Sequence, residues 1–266
     1  MKVSSIFILS IFSLSFMLAC HPVKKAALGP KPFLPNKVIA HRGAFKNTGL
    51  PENSIASLQA AIKMGCGGSE FDIHMTSDEV LVVNHDPDFL GLPIETNTYA
   101  ALQQKKLSNG ETIPTLKQYL KTGMQQKYTR LIAEVKTSTI SPQRSVQLAE
   151  KVVAMVQQLG AQDQVAYIAF SYEVCKKIRQ LAPNAPVQYL NGDKSAEQLK
   201  ADGLDADYHY SVFQKDKNWI ANAKKIGIIV NAWTVNSADI MDEFLAQDID
   251  MITTNEPEML LKKIGR

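Results

Sequence analysis

The sequence has few cysteines, little net charge and no apolar run of bilayer-spanning length. Three cysteines among 266 residues are too few for the disulfide framework of a small secreted domain. Lys and Arg number 29 against 26 Asp and Glu, which gives a net charge of +3, and neither sign forms a long run. Such a balance predicts no polyanion-binding surface, so we expect no nucleic-acid partner.

The longest apolar stretch lies at the N-terminus. It covers residues 6–19, 14 positions after Lys2, whereas about 20 residues are needed to span a bilayer. These are the proportions of a signal-peptide core. The stretch ends at Met17-Leu18-Ala19-Cys20, which resembles a bacterial lipoprotein signal and implies that Cys20 is lipidated. A cleaved secretory signal and a retained anchor are the alternatives.

The chain is therefore expected to have three parts: a signal peptide at 1–19, the lipidated cysteine with a flexible tether at 20–36, and a folded domain at 37–266. The tether contains four prolines and no apolar period, as is typical of extended linkers. We expect an exported protein that its lipid anchor holds at a membrane, on the periplasmic side or at the cell surface. There, Cys66 and Cys175 are compatible with either a disulfide or two buried thiols.

From Lys37 onward, short apolar runs alternate with helical patterns, and several runs are continuous, as in strands buried on both faces. Predicted strands are 38–40, 70–73, 80–83, 131–135, 165–170, 187–190, 228–233 and 251–253, with 206–210 as a weaker ninth. Predicted helices are 55–64, 145–159, 172–181, 218–225, 238–246 and 257–264. This alternation predicts a single-domain α/β fold, a (β/α)8 TIM barrel, with an open doubly wound sheet as the alternative.

Carboxylates are concentrated on two of the early predicted strands. Side chains two positions apart on a strand point the same way, so Glu70 and Asp72 share a face, as do Glu134 and Lys136. Carboxylates on one face repel each other unless a cation neutralises them. Their hard oxygen atoms suit Ca²⁺ or Mg²⁺.

Histidines follow two early predicted strands. The first strand ends at His41-Arg42, and His85 follows the third. If the second and third runs form a hairpin, Asp72 pairs with Asn84 and His85 comes to the same end as Asp72. If both are parallel barrel strands, their carboxyl ends still share the face where barrel active sites lie.

These residues stand in motifs that resemble the glycerophosphodiester phosphodiesterase family. The motifs are HRG at 41–43, PENS at 51–54, EFD at 70–72, HDP at 85–87, EVK at 134–136 and WTVN at 233–236. Their order and spacing match the family from Val38 to the C-terminus. The resemblance implies a metal-dependent (β/α)8-barrel enzyme that hydrolyses glycerophosphodiesters to sn-glycerol 3-phosphate and an alcohol.

The resemblance also implies roles for individual residues. His41 and His85 would be the acid/base catalysts, with His41 favoured as the base. Glu70, Asp72 and Glu134 would bind one divalent cation, Ca²⁺ or Mg²⁺. The residues that would bind substrate are Arg42, Lys136, Glu52 and Trp233. Asn53 or Ser54 is expected to cap the helix at 55–64, with Asn53 favoured. The glycerol 2-hydroxyl and water are both compatible nucleophiles.

Substrate choice is expected to lie in residues 86–114, a long segment for a barrel loop. Its mixed, polar composition predicts a small deacylated substrate such as glycerophosphocholine or glycerophosphoethanolamine. Two alternatives stay open: a lysophospholipase D or phospholipase-like activity on the same barrel, and a noncatalytic lipoprotein that binds polyol phosphates. The sequence does not predict an oligomeric state.

Overall fold

The computed structural model describes residues 36–266, so the predicted signal peptide, Cys20 and all but the last residue of the tether lie outside the described residues. The strands are β1 (Val38–Ala40), β2 (Gly68–Met75), β3 (Leu81–Val83), β4 (Asp88–Phe89), β5 (Leu92–Pro93), β6 (Arg130–Val135), β7 (Val165–Ala169), β8 (Val187–Tyr189), β9 (Asp205–His209), β10 (Val230–Trp233) and β11 (Met251–Thr254). Eight of them, β1, β2 and β6 to β11, pair in parallel and in chain order. Because β1 pairs with both β11 and β2, the sheet closes into the predicted TIM barrel.

Helices connect the barrel strands. They are α1 (Ile55–Met64), α2 (Tyr99–Leu102), α3 (Leu116–Gly123), α4 (Pro142–Leu159), α5 (Tyr172–Leu181), α6 (Ala196–Ala201), α7 (Tyr210–Lys215), α8 (Trp219–Lys225), α9 (Ala238–Ala246) and α10 (Pro257–Lys263). The sequence reading missed α2, α3, α6 and α7. Two of these begin with a capping box, at Thr115 with Gln118 and at Ser195 with Gln198, a signal that the apolar period alone does not contain. Across residues 36–266, none of the helices combines the length and hydropathy that crossing a bilayer requires.

Apolar side chains fill both sides of the barrel wall. The larger core lies between the strands and the helices. A smaller cluster fills the barrel interior and consists of Ile39, Ile132, Ala166, Ile168, Leu190 and Met251. Burial on both faces explains why these strands read as continuous apolar runs.

The stretch after β2 folds back as a hairpin rather than continuing the barrel. β3 runs antiparallel to β2, with Ile73 opposite Val83, and the Asn84 N–H donates to the Asp72 carbonyl oxygen at 3.0 Å. The hairpin reading of this segment is therefore confirmed. The run predicted at 80–83 lies outside the barrel, and the weaker candidate at 206–210 corresponds to the barrel strand β9.

Residues 84–115 form an insert that carries β4, β5 and α2. It has its own small apolar core, made of Val82, Phe89, Ile94, Leu102 and Ile113. Glu95, which is 7% exposed, joins the insert to the β6–α4 connection. Its Oε1 accepts from the Ser138 hydroxyl at 2.6 Å and from Arg144 Nε at 3.0 Å, and its Oε2 accepts from the Thr139 N–H at 2.7 Å and hydroxyl at 2.8 Å.

We expect Glu95→Ala to lower the free energy of unfolding by about 3 kcal/mol, because it removes a buried carboxylate that accepts four hydrogen bonds and leaves the partly buried guanidinium of Arg144 without its carboxylate. Urea unfolding followed by circular dichroism measures the change. Glu79→Ala is the control, since it removes only surface contacts, the ion pair with Lys151 and a hydrogen bond from Gln147, and should have little effect. Equal midpoints for the Glu95 and Glu79 variants would contradict the assignment of Glu95 as a structural anchor.

Cys66 and Cys175 are both free and fully buried. Burial raises the pKa of each thiol to about 12. Of the two alternatives that the sequence left open, the structure has the pair of buried thiols.

Candidate active site

Three buried carboxylates meet at the carboxyl ends of β2 and β6. Asp72 lies directly opposite Glu134 in the β2–β6 register, and Glu70 is two positions earlier on the same face of β2. One oxygen from each of the three lies within 4.8 Å of the others. The strand pattern thus brings together the three residues that were predicted as cation ligands.

The three carboxylates perturb each other's ionisation. Burial, followed by the negative charge of Asp72, raises the pKa of Glu70 well above its ordinary value and that of Glu134 to about 7. Burial alone would also raise the pKa of Asp72, but Lys136, His85 and a hydrogen bond from Asn53 lower it below its ordinary value. Asp72 therefore carries the most stable negative charge of the cluster.

This cluster fits a hard divalent cation. Glu70 Oε1 is buried without a hydrogen-bond partner, and an orphaned buried oxygen of this kind requires a ligand or water. All the donors are carboxylate oxygens, which Ca²⁺ and Mg²⁺ prefer. A cation would also offset the repulsion among the three charges.

His41 is held in the tautomer that a base requires. Its Nδ1 lies 2.7 Å from the amide oxygen of Asn255, so Nδ1 carries the proton and Nε2 has a free lone pair. Nε2 lies 3.9 Å from Glu70 Oε2. Burial and the positive charge of Arg42 lower the pKa of His41 to about 4, which keeps the imidazole neutral at pH 7. The sequence reading gave no role to Asn255.

His85 lines the same cavity as His41 and is more accessible, with 33% of its side chain exposed. Its Nδ1 lies 2.8 Å from Asp86 Oδ1. The backbone oxygen of His85 is 3.2 Å from His74 Nε2. His74 therefore makes a structural hydrogen bond that fixes the chain at His85.

Arg42 connects the carboxylate cluster to the loop that follows β1. Its backbone is left-handed, with φ of 54°, and its N–H donates to Glu70 Oε2 at 2.8 Å. Its Nη1 donates to both oxygens of Glu52 at 3.0 and 2.9 Å, while Nε lies 3.9 Å from Asp72 Oδ2. Glu52 thus contacts the guanidinium and is not one of the three clustered carboxylates.

Asn53, on the loop between β1 and α1, makes two hydrogen bonds to Asp72 on β2. Its Nδ2 donates to Asp72 Oδ2 at 2.8 Å, and its Oδ1 accepts from the Asp72 N–H at 3.1 Å. The N-cap of α1 is Ser54, whose hydroxyl accepts from the Ser57 N–H. Of the two predicted caps, Ser54 is confirmed and the favoured Asn53 is wrong, because the Asn53 amide is already bound to Asp72 of β2. The Asn53 φ of 56° is a conformation that Asn tolerates better than most residues.

Gly43 allows the loop after β1 to pass directly over α1. Its φ is +80°, and a Cβ added there would lie 2.5 Å from Ser57 Oγ and 2.7 Å from the Ser57 carbonyl carbon. Ser57 Oγ in turn donates to the Arg42 carbonyl oxygen. The glycine of the HRG motif is thus required by steric contact with the helix as well as by its backbone angle.

We expect Gly43→Ala to lower the free energy of unfolding by about 1–3 kcal/mol, because it combines a left-handed backbone with a steric clash. Gly49→Ala is a matched control, since Gly49 has a φ of +69° but no atom within 4 Å of an added Cβ. Thermal unfolding of both variants checks the difference. A smaller loss for Gly43→Ala than for Gly49→Ala would contradict the steric argument.

Lys136 stands between two of the clustered carboxylates. Its Nζ lies 3.1 Å from Asp72 Oδ1 and 2.9 Å from Glu134 Oε1. Burial alone would lower its pKa, but these two carboxylates raise it above its ordinary value. Lys136 therefore stays protonated and supplies a positive charge beside the cavity.

A cavity of about 110 Å³ opens between the two histidines and an apolar wall. Trp233, which was predicted to bind substrate, lines the cavity, and its ring meets that of Phe170 edge-on with centroids 5.4 Å apart. Its indole N–H donates to the Asp207 carbonyl oxygen at 2.9 Å. Other lining residues that the sequence reading did not single out are Ile168, Leu190 and Asp207. Apolar strand residues carry no motif, and Asp207 lies in the weakest predicted strand.

Known proteins resemble this chain in sequence and fold. Residues 41–259 match the model of the glycerophosphoryl diester phosphodiesterase family. A glycerophosphodiester phosphodiesterase of Caldanaerobacter subterraneus subsp. tengcongensis is 26% identical over 248 residues, covering 86% of this chain and 98% of that protein.

Solved structures show the same architecture. The crystal structure of a glycerophosphodiester phosphodiesterase from Parabacteroides distasonis superposes with a TM-score of 0.83 at 43% identity, covering 86% of this chain and 96% of the other. A phosphodiesterase of Oleispira antarctica, solved in complex with the product sn-glycerol-3-phosphate, has a TM-score of 0.72 at 26% identity, covering 88% of this chain and 98% of the other.

Proposed function

The chain belongs to the glycerophosphoryl diester phosphodiesterase family, a family of hydrolases, and from that premise we propose that it hydrolyses glycerophosphodiesters to sn-glycerol 3-phosphate and an alcohol. The observation that carries the proposal is one cavity lined by His41, His85, Arg42 and Lys136 beside a cluster of three buried carboxylates. The product bound to the Oleispira antarctica relative supports this choice of reaction.

Metal dependence is part of the proposal. Glu70, Asp72 and Glu134 would hold one divalent cation, Ca²⁺ or Mg²⁺. When bound, such an ion would neutralise charge on the nonbridging phosphate oxygens. Asn53 and Lys136 hold Asp72 in place from two sides, so the chain positions this ligand without help from the ion.

In the proposed mechanism His41 is the base. Its Nε2 takes the proton of the attacking hydroxyl, which belongs either to water or to the substrate's glycerol C2, while Asn255 keeps the other ring proton on Nδ1. Attack by the C2 hydroxyl expels the alcohol and leaves a cyclic phosphate, which water then opens to glycerol 3-phosphate. Removing a proton at the moment of attack raises the nucleophilicity of the oxygen. The proton ends on the imidazole, and Glu70 is close enough to stabilise the resulting positive charge.

His85 is the proposed acid. Its exposure suits a group that meets the leaving alcohol at the cavity mouth, where it donates a proton to the departing oxygen. Asp86 accepts from the other ring nitrogen and stabilises the protonated imidazole. Arg42 and Lys136 would hold the phosphate and the additional negative charge that it develops during attack.

We further propose that the substrates are small deacylated diesters such as glycerophosphocholine and glycerophosphoethanolamine. The enclosed part of the cavity, about 110 Å³, is smaller than the pockets of about 300 Å³ or more that take drug-sized ligands. A three-carbon polyol fits this scale, whereas an acyl chain would have to lie outside it.

The test is release of glycerol 3-phosphate from glycerophosphocholine by the purified chain with Ca²⁺, with Mg²⁺ and with chelator. We expect release that depends on the cation. A folded sample that releases nothing under any of these conditions would overturn the proposal, and lysophospholipid would then test the lysophospholipase D alternative. Binding of glycerol 3-phosphate without turnover of either substrate would favour the noncatalytic alternative.

We also propose that the chain is exported and anchored in a membrane through lipidated Cys20, which lies outside the described residues. The apolar core of 14 residues that ends at this cysteine supports the proposal. Cys20→Ser should move the protein from the membrane fraction to the soluble fraction of the cell. An unchanged distribution would contradict lipid anchoring at this cysteine.

A further inference from the structure

Asp207 is a buried acid in the cavity to which the proposed mechanism gives no role. It lies two residues before the end of β9, deeper in the barrel than the residues that end the strands, and it is 1% exposed. Its Oδ1 has no hydrogen-bond partner among residues 36–266. Leaving a carboxyl oxygen buried and unpaired is costly, so such a group is expected to meet a ligand or a water molecule.

The surroundings of Asp207 indicate what kind of ligand group would meet it. Four apolar side chains line the cavity beside it, namely Ile168, Phe170, Leu190 and Trp233. Glu134, which is part of the carboxylate cluster, also lines the cavity. A short carbon chain that extends from a phosphate at that cluster would contact the apolar wall and present its far end to Asp207.

A neutral hydroxyl suits this position better than a cationic group. A carboxyl oxygen without a partner can accept a hydrogen bond from a hydroxyl group. A hydroxyl brings no charge against the apolar wall, whereas an ammonium group would have to lose its hydration shell there. Burial also raises the pKa of Asp207 above its ordinary value, which further disfavours a charged pair at this position.

We propose that Asp207 binds the terminal hydroxyl of the substrate's glycerol moiety and makes the site specific for glycerol phosphates over phosphates of alcohols that lack this hydroxyl. The inference rests on the proposed function, because it assumes that the substrate's phosphate binds beside Arg42 and Lys136. From that point the glycerol carbons run along the apolar wall to Asp207. The alcohol part of the diester then faces the open mouth near His85.

The experiment measures binding rather than turnover. Isothermal titration calorimetry in Ca²⁺ compares sn-glycerol 3-phosphate with the 1-phosphate of propane-1,2-diol, in which a hydrogen replaces the terminal hydroxyl. We expect the wild-type chain to bind glycerol 3-phosphate about 10-fold or more tightly than the analogue. Asp207→Ala should bind the two ligands with nearly equal affinity, and Asp207→Asn should have a smaller preference than the wild type.

Asp205→Asn is the matched control. Asp205 is on the same strand, but its Oδ1 accepts from the Ile229 N–H at 2.9 Å, and it does not line the cavity. We expect this variant to keep the wild-type preference. Thermal unfolding establishes which variants are folded. If Asp207→Ala is not folded, the inference is still tested by Asp207→Asn and by the affinities of the wild type for the two phosphates.

Two results would overturn the inference: equal binding of both ligands by the wild type, or a wild-type preference in the folded Asp207 variants. The proposed function fails separately, if the wild type binds these phosphates with the expected preference and yet releases no glycerol 3-phosphate from any glycerophosphodiester. If the wild type releases glycerol 3-phosphate from glycerophosphocholine but binds both phosphates with equal affinity, the inference about Asp207 fails and the proposed function stands.

Discussion

His41→Ala is expected to lower kcat for glycerophosphocholine hydrolysis by about 10²–10⁴-fold, the range that a general base contributes. The variant loses the imidazole that Asn255 orients, so no side chain remains at that position to take the proton of the nucleophile. His85→Ala should cause a loss of the same order because the alkoxide would leave unprotonated. Rates of glycerol 3-phosphate release measure both effects.

His209→Ala is the control for these two variants. His209 is half-buried at the end of β9 and caps α7, but it does not line the cavity. Its removal should leave kcat nearly unchanged. Wild-type turnover in a folded His41 or His85 variant would exclude the role assigned to that residue.

The ionisation of His41 also sets the acid side of the pH profile. Because burial and Arg42 lower its pKa to about 4, the imidazole is protonated and inactive as a base only below that value. The rise of kcat/KM with pH should therefore occur near pH 4 rather than near the ordinary histidine value of about 6.5. If kcat/KM instead rises near pH 6.5 in the wild type, and if Asn255→Ala does not move this rise, the environment described for His41 is wrong.

Glu70→Gln is expected to reduce strongly the cation dependence of stability. For the wild type, a cation at about 100 times its Kd should add about 2.7 kcal/mol to the free energy of unfolding, and the melting temperature should rise accordingly. The variant replaces one of the three carboxylates with a neutral amide, whose oxygen binds Ca²⁺ more weakly, so Ca²⁺ should raise its melting temperature far less and turnover should fall. In chelator, however, the variant should be at least as stable as the wild type, because it has one fewer charge in a buried cluster.

Glu52→Gln is the matched control for the cation experiment. Glu52 is a carboxylate on the neighbouring loop, but it contacts Arg42 and not the cluster. The Glu52 variant should keep the Ca²⁺-induced rise in melting temperature. An equal response of the Glu70 and Glu52 variants to Ca²⁺ would exclude the three-carboxylate cluster as the cation site.

The pH dependence of the metal-free protein should follow from the same cluster. Burial and the charge of Asp72 raise the pKa of Glu134 to about 7, above its unfolded value of about 4.3. Between these values Glu134 binds more protons in the folded state than in the unfolded state, so its contribution to the free energy of unfolding falls as pH rises. In chelator, this contribution should decline from pH 4.5 to 7, and Ca²⁺ should remove much of that decline. The difference between the wild type and Glu134→Gln isolates it from His41, whose lowered pKa changes stability in the opposite sense.

The sequence predicted the barrel well because most of its strands are buried on both faces. β9 was the weakest candidate since its inward face carries Asp205, Asp207 and His209, which interrupt the apolar run. The same polar residues explain why Asp207 was missed. Asp207 interrupts the apolar pattern of its strand because in the folded barrel its polar side chain lines the cavity.

Contacts between distant parts of the chain were the least predictable. Asn53 stands where a helix cap is expected, and only the closed sheet shows that its amide binds Asp72, 19 positions away. The partner of His41 is 214 positions away. Local patterns carry no information on such pairs, whereas residues two apart on one strand, such as Glu70 and Asp72, were placed correctly from geometry alone.

The closure of the barrel has a consequence for biosynthesis. β1 is the first barrel strand to be made and pairs with β11, the eighth barrel strand, and the His41 ring is oriented by Asn255, immediately after β11. A nascent chain that has not reached residue 251 therefore has two open sheet edges and an unoriented histidine. Synthesis must pass β11 before a competent site exists, and a premature stop anywhere before this strand would remove activity.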